Sequence, residues 1–283
     1  MKLSYYPGCS LESTAKEYDL SSRSVCRALG VELQELDDWA CCGATSAHST
    51  DRLLSMALPT KSIVTAQQSG NDVAVPCSAC YNRLKKADYI LRNDEKERSR
   101  LEGIHDFKFD GSVQVYSLLE ALTTKLGIET ITAKVKKPLK GLKVVCYYGC
   151  LLVRPPEVTN FDRAENPMVM DQLMAGLGAD VKNWSCKTEC CGANQGLVSG
   201  KIVGKLVGKL LDMAEEADAD AVVAACPLCQ ANLEMRRSPD CKMPSFYFTE
   251  LMGLALGLPD YDEWFKKHLV DPYPVLRAHS LVG

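Results

Sequence analysis

The feature that most constrains this chain is a cysteine pattern that occurs twice. The first half carries Cys9, Cys41-Cys42, Cys77 and Cys80, and the second carries Cys150, Cys190-Cys191, Cys226 and Cys229. The spacing is Cys-x31-Cys-Cys-x34-Cys-x2-Cys and then Cys-x39-Cys-Cys-x34-Cys-x2-Cys, so only the first gap differs, by eight residues. The flanks repeat too. Tyr5-Tyr6-Pro7-Gly8 leads into Cys9 and Tyr147-Tyr148-Gly149 into Cys150, and Gly-Ala follows each Cys-Cys at Gly43-Ala44 and Gly192-Ala193. A repeat of this length reads as a duplicated structural unit.

Within each unit the runs alternate. β-rich stretches at 3–6 and 144–148 precede the first cysteine. A helix end stopped by glycine and a short extended run, at 28–33 and 176–181, precede each Cys-Cys. Apolar runs at 73–75 and 221–225 precede each Cys-x2-Cys, and helical patterns fill 51–68 and 200–216. Strands alternating with helices predict an α/β protein of parallel βαβ units, in two tandem pseudo-symmetric domains. The cysteines then fall in loops at the C-terminal ends of strands, where such sheets place ligands. We set the domains at 1–135 and 136–283, with a link across 131–141 that holds Lys134, Lys136, Lys137 and Pro138. The charged tract 92–102 reads as a solvated helix or loop.

Fourteen cysteines are too many for an ordinary chain of 283 residues. The opening Met1-Lys2-Leu3-Ser4-Tyr5-Tyr6 reads as a strand and not as a secretory signal. The apolar stretch 251–258 is far shorter than the ~20 residues of a membrane span. A cytoplasmic location is the expectation, with reduced thiols and no disulfide framework, which directs the cysteines to metal. A net charge of -3 offers nothing to nucleic acid or to an anionic membrane.

Thiolates suit zinc or iron–sulfur chemistry over magnesium or calcium. Structural zinc and a cubane cluster each use four cysteines. The fifth in each half is a bystander or the sign of a less usual cluster, and adjacent cysteines can serve two different irons. Zinc in one or both halves stays open on this ground. Outside the pattern, Cys26 and Cys146 read as core, Cys186 lies near Cys190 and reads as a bystander, and Cys241 has no assigned role.

The doubled Cys-Cys-Gly signature resembles the cysteine-rich CCG domain, and two such domains in one chain resemble the catalytic subunit of heterodisulfide reductases. The resemblance runs from Tyr5 to beyond Cys229. Single motifs of the kind are shared with iron–sulfur subunits of lactate, glycolate and glycerol-3-phosphate dehydrogenases. The resemblance implies two non-cubane [4Fe-4S] clusters. One would use Cys9, Cys41, Cys42, Cys77 and Cys80, and the other Cys150, Cys190, Cys191, Cys226 and Cys229. It further implies reduction of the coenzyme M–coenzyme B disulfide to two thiols between the clusters, as in methanogenesis. The longer gap before Cys190 leaves the path through 154–167 open.

An acidic disulfide asks for cations at the entrance, and Arg154, close after Cys150, is the first candidate. His48, six residues after Cys42, is a weaker candidate for giving a proton. Lys201, Lys205 and Lys209 beside Gly200, Gly204 and Gly208 read as an outer lysine stripe with glycines for close packing. No Gly-x-Gly-x-x-Gly fingerprint and no ferredoxin run is present, so electrons must come from another protein. The resemblance supplies a ferredoxin-like iron–sulfur subunit next to this chain, a flavin-bearing subunit beyond it, and a hydrogenase or formate dehydrogenase in larger assemblies. Segments 251–258 and 269–275 either dock such a partner or finish the core. The rival readings are an electron-transfer subunit of a succinate- or hydroxyacid-type dehydrogenase, and a structural zinc protein with zinc in the second half.

Overall fold

The computed structural model describes residues 1–44, 47–196 and 198–283, and among these two separate four-stranded sheets are formed. The first holds β1 (Lys2–Tyr5), β2 (Glu32–Glu35), β3 (Val73–Val75) and β4 (Val115–Ser117). The second holds β5 (Lys143–Tyr147), β6 (Asp180–Val181), β7 (Ala221–Ala224) and β8 (Ser245–Tyr247). The strand orders are β2-β1-β3-β4 and β6-β5-β7-β8, and every pairing is parallel. Both halves therefore share one topology, and the chain is α/β with two tandem units.

Burial explains which runs became which strands. A parallel strand covered on both faces needs a continuous apolar run. Val73-Ala74-Val75 and Ala221–Ala224 supply it and are wholly buried. The edge strand Glu32–Glu35 is polar and largely exposed. Helix Arg52–Ser69 starts where Asp51 accepts a hydrogen bond from the Leu54 amide at 2.6 Å, and helix Gly200–Glu216 fills the matching place. The strands β4 (Val-Tyr-Ser) and β8 (Ser-Phe-Tyr) have no counterpart in the sequence reading, because neither is a continuous apolar run and neither leads into a cysteine. Both end in the same device: Glu120 accepts from the Ser117 amide at 3.2 Å, and Glu250 from the Tyr247 amide at 2.8 Å. Most of the charged tract lies in helix Glu95–His105, where only Leu101 is buried.

The halves are packed into one another. Helix Phe248–Ala255 is buried along its whole length and packs on helix Lys16–Leu29 of the first half. Ser21 and Thr249 share a hydroxyl hydrogen bond of 2.7 Å, and the Tyr18 and Tyr247 rings stack with centroids 4.0 Å apart. The apolar segment 251–258 thus finishes the core, whereas Leu269 is 69% exposed. Cys26 and Cys146 are core residues, and burial pushes the Cys26 thiol up to about 12. The eight extra residues of the second half fall in a loop that docks on the first. Asn82 donates to the carbonyls of Leu151 and Arg154 at 3.0 and 2.7 Å, and the Tyr81 hydroxyl donates to the Thr159 carbonyl at 3.2 Å. The lysine stripe is exposed as expected. Gly200 and Gly204 face Arg236, but Gly208 faces open space, so close packing does not explain it.

Candidate metal centre

Each set of five cysteines is assembled from the C-terminal ends of three neighbouring strands. Cys9 follows β1, Cys41-Cys42 follow β2, and Cys77 and Cys80 open the helix after β3. Cys150, Cys190-Cys191, Cys226 and Cys229 stand in the same relation to β5, β6 and β7. In this order the strands are added outward in opposite senses on either side of the first and third strands of each unit, which opens a crevice between them.

The sulfurs meet as an outer pair and an inner trio in each half. Cys9 and Cys41 are within hydrogen-bonding reach, as are Cys150 and Cys190. These outer thiols are exposed or half-buried. Inside, Cys42 Sγ lies 3.2 Å from Cys80 Sγ, and Cys80 also contacts Cys77. Likewise Cys191 Sγ lies 3.6 Å from Cys229 Sγ, which contacts Cys226. All six inner thiols are buried. The two trios touch: the Cys77 and Cys226 thiols are within hydrogen-bonding reach of each other across the seam between the halves. Above that seam the Tyr18 hydroxyl lies 3.2 Å from the Pro76 carbonyl and 3.5 Å from that of Ala225, and Ser78 donates to Ala225 at 3.1 Å.

The scaffold around the sulfurs repeats in detail. The Tyr6 hydroxyl donates to the Ala40 carbonyl at 2.7 Å and the Tyr147 hydroxyl to the Glu189 carbonyl at 2.7 Å, so one tyrosine ties down the residue before each Cys-Cys. Burial, and then the neighbouring thiols, push both phenols upward. Gly8 and Gly149 adopt left-handed φ of 72° and 69°. A Cβ there would stand 3.1 Å from Cys80 Sγ and 3.0 Å from Cys229 Sγ, so glycine keeps the space beside the sulfurs clear. The amides of Gly43 and Gly192 point at Cys41 and Cys190 Sγ at 3.5 and 3.3 Å.

Paired thiols share protons unequally. Cys42 is lowered to about 7 because Cys80 donates to its thiolate, and Cys80 is raised in return. Cys190 is lowered to about 6 by Cys150, and Cys226 is held low by Cys229 and Cys77. Metals bind the thiolate, so these are sulfurs ready for a soft metal. Among the described residues no group of three His, Cys, Asp or Glu side chains is arranged to hold a single metal ion. The sulfurs are strung out in pairs and trios, with glycine-cleared space beside them. Such a donor set fits a group of several metals.

The other expected site residues make these contacts. Arg154 is engaged on the loop before Cys190: its Nη2 meets Glu165 Oε2 at 2.6 Å and Thr188 Oγ1 at 3.0 Å. His48 is exposed on the short helix Ala47–Thr50. Cys186 is buried with its sulfur 3.9 Å from the Ser185 hydroxyl. Sequence reasoning passed over the bracing roles of Tyr6 and Tyr147, although both stand in the repeated run before the first cysteine. It also passed over Arg83 and Asn232, three residues beyond Cys80 and Cys229, which helical spacing places on the same faces as those cysteines.

Two parallel α/β units, each closing a five-cysteine crevice around a Cys-Cys-Gly turn, define a class. The pattern of the cysteine-rich CCG domain matches residues 3–85 and 144–234, and the chain belongs to that family. Along most of its length it is homologous to one type of heterodisulfide reductase subunit. The example from Methanosarcina acetivorans, part of an enzyme named ferredoxin/F(420)H(2)-dependent CoB-CoM heterodisulfide reductase, is 30% identical over 274 residues, 92% of this chain and 91% of that protein. The 8-methylmenaquinol:fumarate reductase membrane anchor subunit of Wolinella succinogenes is 29% identical over 278 residues, 95% of this chain and 97% of the other. A hypothetical protein from Helicobacter pylori shares the fold at a TM-score of 0.74 and 8% identity. The match takes in 95% of this chain, which spans 52% of that one. Among the described residues no helix is long and apolar enough to cross a membrane.

Proposed function

We propose that this chain is the catalytic iron–sulfur subunit of a heterodisulfide reductase-type complex in the cytoplasm. In it a mixed disulfide takes up two electrons and two protons, its S–S bond breaks, and two thiols leave. The observation that carries the reading is the meeting of the two sulfur sets at Cys77 and Cys226. One disulfide has two sulfurs and needs two electrons, and the duplicated scaffold brings two equivalent centres to one seam. Two bound clusters would each supply one electron and a soft, Lewis-acidic metal.

The chain's own residues divide the work. Cys9, Cys41, Cys42, Cys77 and Cys80 hold the first centre, and Cys150, Cys190, Cys191, Cys226 and Cys229 the second. The non-cubane form, with five thiolates each, is the one that leaves no cysteine of the pattern idle. Tyr6 and Tyr147 fix the Cys-Cys turns, and Tyr18 and Ser78 fix the backbone on either side of the seam. The electrons come from a partner, which the relatives' standing as members of larger complexes supports: a ferredoxin-like iron–sulfur subunit, with a flavin-bearing one behind it. The coenzyme M–coenzyme B disulfide is the substrate by analogy with the Methanosarcina relative.

A second reading has its own support. The Wolinella relative, matched end to end, is named for fumarate reduction, and on that analogy the chain would relay electrons and meet no disulfide. One experiment decides. Anaerobically purified protein should carry about eight irons and no zinc. Reduced protein mixed with the mixed disulfide should be reoxidised within the mixing experiment, with two thiols released per disulfide. Full iron without reoxidation would leave the electron-relay reading; zinc in either half would end the two-centre mechanism.

A further inference from the structure

Arg83 is a cation with no counterpart in the second half. It lies three residues beyond Cys80 on helix Ser78–Asn93, one turn further along the same face. Cys80 touches Cys42, so this face looks onto the Cys41-Cys42-Gly43 turn. The matching residue in the second half is Asn232, whose Nδ2 donates to the Cys191 carbonyl at 3.0 Å. The duplicated fold therefore aims position 83 at the turn that carries Cys42. Arg83 is close enough to Cys42 for its charge to be felt there.

Among the described residues the guanidinium has no hydrogen-bond or ion-pair partner. Its Nε is shut off from solvent without a hydrogen-bond partner. Three other half-buried arginines are ion-paired, Arg23 with Asp19, Arg92 with Asp88 and Arg154 with Glu165, and Arg98 and Arg237 bond backbone carbonyls. A buried donor without an acceptor is costly and rare, and here it marks a missing acceptor. In the second set the residue before Cys190 is Glu189, an acid already paired with Lys209 at 3.8 Å. An acidic ligand group would meet an open cation at the first set.

We propose that Arg83 is the anion-holding residue of the first cysteine set, receiving the sulfonate or carboxylate of a small thiol or disulfide whose sulfur binds at that set. The proposal rests on the disulfide-reducing reading of the chain. A planar guanidinium fork matches such groups with two parallel hydrogen bonds. This also orients an asymmetric disulfide, with its short acidic arm toward the first half.

The test titrates 2-mercaptoethanesulfonate and its neutral analogue 2-mercaptoethanol into the anaerobic holoprotein and follows the thiol-induced paramagnetic signal. The wild type should favour the sulfonate by roughly ten- to a hundredfold, the range of a charge-assisted hydrogen bond. Arg83→Gln should bind both thiols alike, with the affinity for the neutral thiol unchanged. Arg83→Lys should keep part of the preference, and Arg154→Gln all of it. A preference that persists in Arg83→Gln, or disappears in Arg154→Gln, would overturn the assignment. Loss of iron in both Arg83 variants would do the same, because the residue would then be building the set. If neither thiol perturbs the wild type, the disulfide reading itself is wrong and Arg83's role goes with it.

Discussion

The two halves share strand order, cysteine spacing and the tyrosine that braces each Cys-Cys turn, and they differ in the charges beside the sulfurs. In the second half Lys187, three residues before Cys190, is buried. Its Nζ meets Asp171 Oδ1 at 2.6 Å and the Pro167 carbonyl at 3.1 Å. Tyr148 donates to the other oxygen of Asp171 at 2.6 Å, and the amides of Tyr148 and Gly149 donate to the Lys187 carbonyl. The backbone leading to Cys150 is thus locked to the loop leading to Cys190. In the first half the matching position is Asp38, whose side chain is 87% exposed and pairs with Lys61 at the surface. The first half instead leaves Arg83 unpaired. Duplication kept what gathers sulfur and let the surroundings diverge, one copy toward rigidity and the other toward an open charge.

The largest effect tests whether the copies load independently. Cys42→Ala and Cys191→Ala each remove one inner sulfur that carries an acidic thiol. We expect each variant to keep about half the iron of the wild type, as one of two equal clusters would contribute. Cys26→Ala, a core substitution away from the sets, should leave iron unchanged. Complete loss in either Cys-Cys variant would show that the touching trios at Cys77 and Cys226 form one cooperative centre.

Removing the brace separates the halves next. Lys187→Met strands a buried carboxylate, and breaking a buried pair from one side costs about 3–5 kcal/mol. Asp38→Ala, at the matching exposed position, should change stability by about 0.5 kcal/mol or less. Urea unfolding of both variants measures the contrast. Equal losses would mean that the pair in the second half is not the lock described here. Adding Asp171→Asn to Lys187→Met should recover part of the loss, because no unpaired charge remains.

How much of this could be read from sequence differs by level. The duplication, the α/β class and the three strands before the cysteines were legible, because spacing and apolar runs survive in one dimension. β4 and β8 were not: each mixes a serine with aromatic or apolar residues, neither leads into a cysteine, and the Ser117–Glu120 and Tyr247–Glu250 contacts show only in the fold. Arg154 was the obvious cation by its nearness to Cys150, yet the fold engages it with Glu165 and Thr188. Arg83 sits beside Cys42, 41 residues away in sequence, and only the Cys42–Cys80 contact reveals that. A charge is legible as a charge; whether another residue already holds it is a property of the packed chain.

The smallest effect concerns the seam where the copies meet. Glu17 of the first half is buried within reach of Glu250, His268 and Glu234 of the second. Burial first, and then the neighbouring carboxylates, raise its carboxyl to about 7 from an ordinary 4.5. An acid whose folded pKa is raised is penalised when ionised, so stability falls as pH climbs between those two values and stays reduced above the upper one. His268 is held charged by Glu250 and Glu234, which raise its pKa, and that stabilisation is likewise lost as pH rises through the folded value. Both slopes run the same way. Glu17→Gln removes only the first, so it should gain about 1–3 kcal/mol at pH 8 and almost nothing at pH 4. Thermal unfolding across that range measures it. A gain that is the same at both ends would mean that Glu17 titrates in the folded protein as it does in the unfolded chain, and that the seam is not the closed, charge-poor contact between the halves described here.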